Sequence, residues 1–260
     1  MRIAIGLEYR GAGFCGWQSQ PQGCGVQDAV EAAVTAIAGA RTAVTAAGRT
    51  DAGVHAALQI AHFDVTVERP LTAWVRGVNS HLPPGIAVLW AREVGEDFHA
   101  RFGAVQRGYR YVLLNHPVRP ALHDGLIGWH HRPLDADAMN RAAMHLIGRH
   151  DFSAFRAAEC QARSPVKELR RAQVERHGDY LLCDFQADGF LHHMVRNLMG
   201  CLIQVGAGVR PAEWMAQLLA SRDRTLAAPT FDAAGLYLAH IRYPAHFDLP
   251  ENPDRWPFAT

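Results

Sequence analysis

The sequence predicts an α+β fold: two lobes of ferredoxin-like content sharing a central antiparallel sheet flanked by helices. Three observations carry this. Segments that alternate apolar and polar residues interleave with segments of helical period along all 260 residues. Both halves hold the same mixture of elements, although no sequence repeat is visible. No flexible linker separates them, so one continuous sheet is expected across a boundary near Gly103. The expected lobes are residues 1–103 and 104–260.

In the first lobe, Ile3, Ile5 and Leu7 share one face of a half-buried strand over Ile3–Tyr9. Val26, Val30, Ala33, Val34 and Ile37 recur at helical steps, with Asp28 and Glu31 in the early turns and Gly39 as the stop, which predicts a helix over Val26–Ala38. A strand follows over Ala57–Val67, and Pro70 opens a short helix through Val78. The turn Pro83-Pro84-Gly85 leads into a strand over Ile86–Glu93. In the second lobe, Gln106–Leu114 reads as a strand and Asp135–Ile147 as a helix with Met139, Ala143, Leu146 and Ile147 on one side. Glu168–Arg176 and Tyr180–Ala187 read as a hairpin turning at His177-Gly178-Asp179. Leu191–Val205 is expected to be the longest helix, Pro211 starts another that ends near Ser221, and Leu236–Tyr243 closes as a strand.

Composition excludes several classes. The apolar fraction of 49% rules out a disordered chain, and 20% charged residues fit a globular one. Lys+Arg 26 against Asp+Glu 25 leaves a net charge of +1, which excludes a histone-like polycation but not local basic stripes. Lys167 is the sole lysine, so 25 of the cations (26 − 1) are arginines. Arginine suits phosphate forks and base stacking, although a genome rich in G and C produces the same bias. The five cysteines include no C-x-x-C pair, and three lie in apolar runs, so neither a disulfide framework nor a zinc ribbon is expected. The start MRIAIGLEYR reads as a strand without the apolar stretch of a signal peptide, and no run approaches the ~20 apolar residues of a membrane span. A soluble, cytoplasmic protein with no membrane partner is the expectation.

Three motifs carry candidate chemistry. Gly11-Ala12-Gly13-Phe14-Cys15-Gly16 spells G-x-G-x-x-G after a strand, but a dinucleotide site needs a helix to begin inside that loop, and none starts before Val26. The motif reads instead as a glycine-rich turn. The fifteen histidines contain no H-x-x-x-H and no Cys/His set, so no metal site is expected; His192 and His193 are read as adjacent on a helix, about 100° apart. The densest stretch is Ala47-Gly48-Arg49-Thr50-Asp51-Ala52-Gly53-Val54-His55-Ala56. Glycines there let the backbone turn and approach a ligand, and a carboxylate two residues from a guanidinium can be held ionised and aimed. A plain turn with an Asx cap accounts for the same residues.

That stretch resembles the catalytic loop of the tRNA pseudouridine synthase A family, and the likeness runs along nearly the whole chain. Gly16-Trp17-Gln18-Ser19-Gln20-Pro21, His62-Phe63-Asp64, Asn79-Ser80-His81-Leu82-Pro83 and Phe98-His99-Ala100-Arg101-Phe102 are similar to family motifs. So are Arg107-Gly108-Tyr109-Arg110-Tyr111, Gly148-Arg149-His150-Asp151-Phe152, Phe190-Leu191-His192-His193-Met194-Val195-Arg196-Asn197 and Gly235-Leu236-Tyr237-Leu238. Departures are Arg10 in place of Asp, Gly23-Cys24-Gly25 in place of a more polar run, Gln161-Ala162 in place of Gln-Ser, and Asp188-Gly189 in place of Asn-Ala. They bear on peripheral contacts with tRNA.

The resemblance implies the pseudouridine synthase fold, with two ferredoxin-like, RRM-like lobes. It also implies a cofactor-free isomerase acting as a homodimer on uridines 38, 39 and 40 of the tRNA anticodon stem and loop. Residues 1–103 would carry the catalytic Asp loop, and 104–260 would complete the active-site cleft. Asp51 is carried over as the essential carboxylate. Attack on C1′, addition to the ring, and removal of the C2′ proton all remain open for it. Arg196 is implied as its ion-pair partner; read from the residues alone, an Arg following the apolar face of Leu191, Met194 and Val195 demands a partner if buried. Tyr109 is implied as the aromatic that stacks on the flipped uracil and assists at C5, though as a strand aromatic Tyr111 fits equally well, since the two share a face. Arg49 is implied in extruding the base. Arg101, Arg107 and Arg110 suit phosphate contacts, as do Arg163, Lys167, Arg170 and Arg171. Two other classes compete. A non-catalytic tRNA-binding protein of this fold would lack the loop Asp, and a nucleotide-dependent oxidoreductase built on Gly11–Gly16 would bind a nicotinamide.

Overall fold

The computed structural model describes residues 1–250. The chain runs through β1 (Arg2–Tyr9), α1 (Val26–Ala38), β2 (Thr45–Ala46), β3 (His55–Asp64), a π-helical turn (Ala73–Gly77) leading into α2 (Val78–His81), β4 (Ile86–Val94) and β5 (Gln106–Asn115). It continues through β6 (Gly128–His130), α3 (Ala136–Met144), β7 (Gly148–Asp151), β8 (Val166–His177), β9 (Tyr180–Ala187), α4 (Met194–Gly206), α5 (Trp214–Ser221) and β10 (Leu236–Arg242). The architecture is α+β, with mostly antiparallel strands and helices packed against them. Two compact units form: residues 1–105 together with residues 237–250, and Gln106–Leu236.

In the first unit the strand order is β4-β1-β3-β10, with β2 paired to β3. β1 is antiparallel to both neighbours, whereas β10 runs parallel to β3, with Tyr237 opposite His55 and Leu238 opposite Ala56. The sequence reads β1 as half-buried, yet both of its faces are covered. Ile3, Ile5 and Leu7 are fully buried, and so is Ala4 on the other side. Small residues permit this: a Cβ on Gly6 would overlap the Trp90 indole that lies over it. α1 buries Val26, Val30, Ala33 and Val34 and stops at Gly39, whose φ of +73° is ordinary for a C-terminal glycine. The helix expected from Pro70 to Val78 is instead a π-helical turn that runs on to His81, and it carries Trp74 fully into the core, edge-on to Phe63 at 5.3 Å.

The second unit orders its strands β5-β9-β8-β7, all antiparallel, with β6 parallel to β5. β8 and β9 form the expected hairpin, turning at Gly178, φ +59°. Leu113, Tyr111, Leu181, Cys183, Phe185 and Leu169 bury one sheet face together with Met139 and Ala143 of α3 and Leu198 and Leu202 of α4. α3 begins one residue after its expected start because Asp135 is its cap, accepting the Ala138 amide at 2.9 Å, and it ends at Met144. The helix expected from Leu191 begins only at Met194. His193 has φ +59°, outside helical backbone, so His192 and His193 are not helical neighbours; their rings lie 4.0 Å apart, tilted by 34°. α4 is therefore no longer than α1, both having 13 residues. Among the described residues, no helix is long and apolar enough to cross a membrane.

The first unit also holds a bridge that the cysteine spacing does not announce. Cys15 and Cys24 form a disulfide, while Cys160, Cys183 and Cys201 stay reduced and buried. The pair is a single bridge rather than a framework, and its spacing of nine matches no standard motif.

Candidate active-site residues

Asp51 lies half-buried in the loop that joins β2 to β3. The loop leaves β2 with the Ala47 amide bonded to the Ile60 carbonyl at 2.8 Å. Buried Gln59 donates its amide to the Gly48 carbonyl at 2.7 Å. Thr50 is 6% exposed and is held twice. Its hydroxyl lies 2.8 Å from that of Tyr9, and its carbonyl accepts the Trp17 amide at 3.0 Å. The turn closes when the Val54 amide donates to the Asp51 carbonyl at 3.1 Å, with Gly53 at φ +79°. Beyond it, buried His55 accepts the Gly11 amide on Nδ1 at 3.0 Å and stacks on Tyr237 at 4.6 Å. Burial pushes the Tyr9 phenol up to about 12, so it stays a neutral hydrogen-bonding group.

The glycine-rich segment after β1 now has a structural role. A Cβ at Gly16 would stand 2.7 Å from the Thr50 carbonyl oxygen and 3.1 Å from the Ala52 nitrogen, and one at Gly11 would overlap the Val54 carbonyl. The two glycines let residues 11–17 lie directly against the backbone that bears Asp51. The geometry of a dinucleotide loop is absent: α1 begins at Val26, capped by Gly25, whose amide donates to Asp28 at 2.9 Å.

Other sequence-derived candidates in this unit lie at its surface. Arg49 is exposed beside Thr50. Arg101 is exposed, with its guanidinium carbon 5.5 Å from the centroid of the Phe102 ring, itself 77% exposed. His99 orders this turn by accepting the Arg101 and Phe102 amides on Nδ1, each at 3.2 Å. The sequence presents Phe102 only as the last residue of a family motif, with no role of its own. A large aromatic inside an Arg-rich, acid-free stretch was the available signal, and its exposure completes it.

In the second unit, β5 divides its candidates by alternation. Tyr109 stands opposite Phe185, half-buried, with its ring edge-on to Phe190 at 5.0 Å. Tyr111 has the same parity but is fully buried, and its hydroxyl donates to the Asp232 carbonyl at 3.0 Å. Burial drives its phenol well above the ordinary range. Arg107 shares that parity and donates to the Asp188 carbonyl at 3.2 Å. Arg110 points to the other face, where Nε and Nη2 clasp Asp184 at 2.7 and 2.8 Å. Arg196, in the first turn of α4, is half-buried. Its Nε donates to the Phe231 carbonyl at 2.9 Å, and its own carbonyl accepts the Phe231 amide at 3.1 Å.

Comparison with known proteins gives the family. A family model described as tRNA pseudouridine synthase matches residues 7–103 and 142–244. The chain is 80% identical over 259 residues to a tRNA pseudouridine synthase A of Thiobacillus denitrificans, covering 100% of each. It is 58% identical over 254 residues to the protein of that name from Dechloromonas aromatica, covering 98% of this chain and 97% of the relative. To that from Chromobacterium violaceum it is 59% identical over 251 residues, covering 96% of each. The chain belongs to the tRNA pseudouridine synthase family, whose members are isomerases acting on tRNA.

Proposed function

We propose that this protein converts uridine to pseudouridine at positions 38, 39 and 40 in the anticodon stem and loop of tRNA, with Asp51 as the essential carboxylate and without a cofactor. The observation that carries this reading is the position of Asp51 on a loop fixed from both sides by buried hydrogen bonds, within a chain of this family. The N1–C1′ glycosidic bond breaks, the uracil rotates, and C5 joins C1′. The C5 proton leaves and N1 gains one. The change is redox-neutral and needs no group donor.

A stacked uridine is out of reach of any side chain, so the base must be flipped. Tyr109 is the aromatic we assign to it, because its ring keeps accessible surface while that of Tyr111 is buried and its hydroxyl is engaged. We assign Arg49 to extrusion of the base and Arg196 to keeping Asp51 ionised. Arg101 and Arg107 approach the RNA backbone; Arg110 is the weaker contact, since two of its nitrogens already hold Asp184. In this reading residues 1–103 supply the carboxylate, residues 104–260 supply Tyr109 and Arg196, and the enzyme works as a cytoplasmic homodimer.

The test is tritium release from tRNA carrying 5-labelled uridine, with mapping of the product positions. The wild-type protein releases tritium. Asp51→Ala folds, binds tRNA and loses turnover by at least ~10³-fold, about 4 kcal/mol of barrier. Release by Asp51→Ala at the wild-type rate would overturn the assignment.

A further inference from the structure

The bridge between Cys15 and Cys24 sits in the segment that supports the Asp51 loop. The Cα atoms are 5.4 Å apart, within the ordinary disulfide span, and the Cys15 amide donates to the Cys24 carbonyl at 2.9 Å. The backbone hydrogen bond and the bridge thus tie the same two residues together. Cys15 is exposed and Cys24 half-buried, so external thiols and disulfides can reach the pair, whereas the remaining cysteines are buried.

The bridged segment is clamped between two structures. On one side, the Val26 and Gln27 amides at the start of α1 donate to the Gly16 and Trp17 carbonyls at 3.0 and 2.8 Å. On the other, the Trp17 amide holds the Thr50 carbonyl, and Gly16 lies against the backbone of Thr50, Asp51 and Ala52. Residues 18–23 between the clamps are exposed. Their ties to α1 are polar: Ser19 and Gln20 bond Asp28, and the Ser19 amide bonds Gln27 at 3.2 Å. The bridge is the covalent tie across this stretch, and Gly16 and Trp17 connect it to the backbone that bears Asp51.

We propose that Cys15 and Cys24 form a reversible redox modification site that sets the rigidity of the Asp51 loop, so that oxidation tightens the loop and reduction loosens it. The oxidant class is a low-molecular-weight disulfide. One cysteine thiolate attacks it, forming a mixed disulfide and releasing one thiolate. The second cysteine then attacks the protein sulfur of that mixed disulfide and releases the other. Two cysteine thiols become one disulfide, and the small disulfide is reduced to two thiols. The effect on turnover rests on the proposed role of Asp51; the effect on rigidity does not.

The full-length protein is equilibrated in mixtures of reduced and oxidised glutathione, then quenched with a maleimide. Mass spectrometry is expected to show two labels gained on reduction, mapped to Cys15 and Cys24. Amide exchange at Trp17 and Val54 is expected to rise by about tenfold in the reduced protein, while amides of β8 and β9 hold still. Single-turnover rates on saturating tRNA are expected to fall severalfold on reduction. Cys15→Ser and Cys24→Ser should match the reduced protein in both redox states. Thiols that never interconvert with the disulfide, or exchange rates equal in both states, overturn the proposal. Equal turnover with altered exchange overturns its catalytic half. Altered exchange with no turnover in either state supports the redox site and overturns the proposed reaction instead.

Discussion

The loop at residues 47–54 and strand β5 are each ten residues or fewer, and each carries proposed active-site groups, but they are held differently. The loop depends on single contacts from far along the chain: Tyr9 on the Thr50 hydroxyl, Trp17 on its carbonyl, and Gln59 on Gly48. β5 is held by a regular ladder to β9 from Arg107 to Leu114, and the alternation of side chains follows from the ladder. A substitution in the loop's supports therefore displaces backbone that bears Asp51, whereas one on β5 leaves the backbone in place and removes only its own side chain.

After the loss expected for Asp51→Ala in the loop itself, the next largest effect lies outside both regions. Arg196→Ala should slow single turnover by about 10²-fold, near 2.7 kcal/mol, and Arg196→Lys should not restore it, because a point-like ammonium cannot reproduce the fork. An unchanged single-turnover rate would sink the proposed pairing with Asp51. Next comes a pair of glycines, both at φ +93°. Gly16→Ala meets the Thr50 carbonyl, while Gly13→Ala has nothing within 4 Å. Backbone strain is common to both, so the difference isolates the contact: Gly16→Ala should be less stable than Gly13→Ala by about 1–3 kcal/mol in urea unfolding and should also lose turnover. Equal losses would mean that the loop is not braced there.

Strand β5 should separate stability from activity. Tyr111→Phe leaves the Asp232 carbonyl without its donor and should cost about 1–2 kcal/mol, with turnover kept. Tyr109→Phe should lower turnover and leave the unfolding midpoint in place. The opposite pattern would transfer the substrate role to Tyr111.

A pH dependence is expected in the first unit. His62 is 5% exposed, and burial, with Arg2 and His99 nearby, lowers its pKa to about 4. The unfolded chain protonates this histidine near 6.5, so between about 6.5 and 4 the unfolded state binds more protons. Stability should fall as pH drops through that window and level off below it. His62→Gln should flatten the slope measured by urea unfolding from pH 4 to 7.

The regular part of this molecule was legible because period and punctuation are local. α1 announces itself through Val26, Val30 and Val34 and its stop at Gly39, and the β8–β9 hairpin through Gly178. β2, β6 and β7 are not legible because strands of two to four residues repeat the two-residue alternation too few times to stand out. The onset of α4 was misread because Leu191-His192-His193 is compatible with helix, and only the left-handed backbone at His193 forbids it. The Asp51 loop stood out by its density of glycine and charge, yet its supports left no trace in the sequence: Tyr9 and Thr50 are 41 residues apart. The contact that distinguishes Tyr111 from Tyr109 likewise lies out of sequence range, at a carbonyl 121 residues beyond Tyr111.

The stacking of Tyr237 on His55 bears on how the chain is made. The second unit is contiguous from Gln106 to Leu236, so a ribosome delivers all of it before Tyr237 appears. The first unit is begun earlier but lacks β10 until then, and β3 has no partner on that side. Folding during synthesis can therefore close the later unit first. The base of the Asp51 loop is completed only when β10 arrives, so a nascent chain carries the proposed catalytic loop long before it carries a finished support for it.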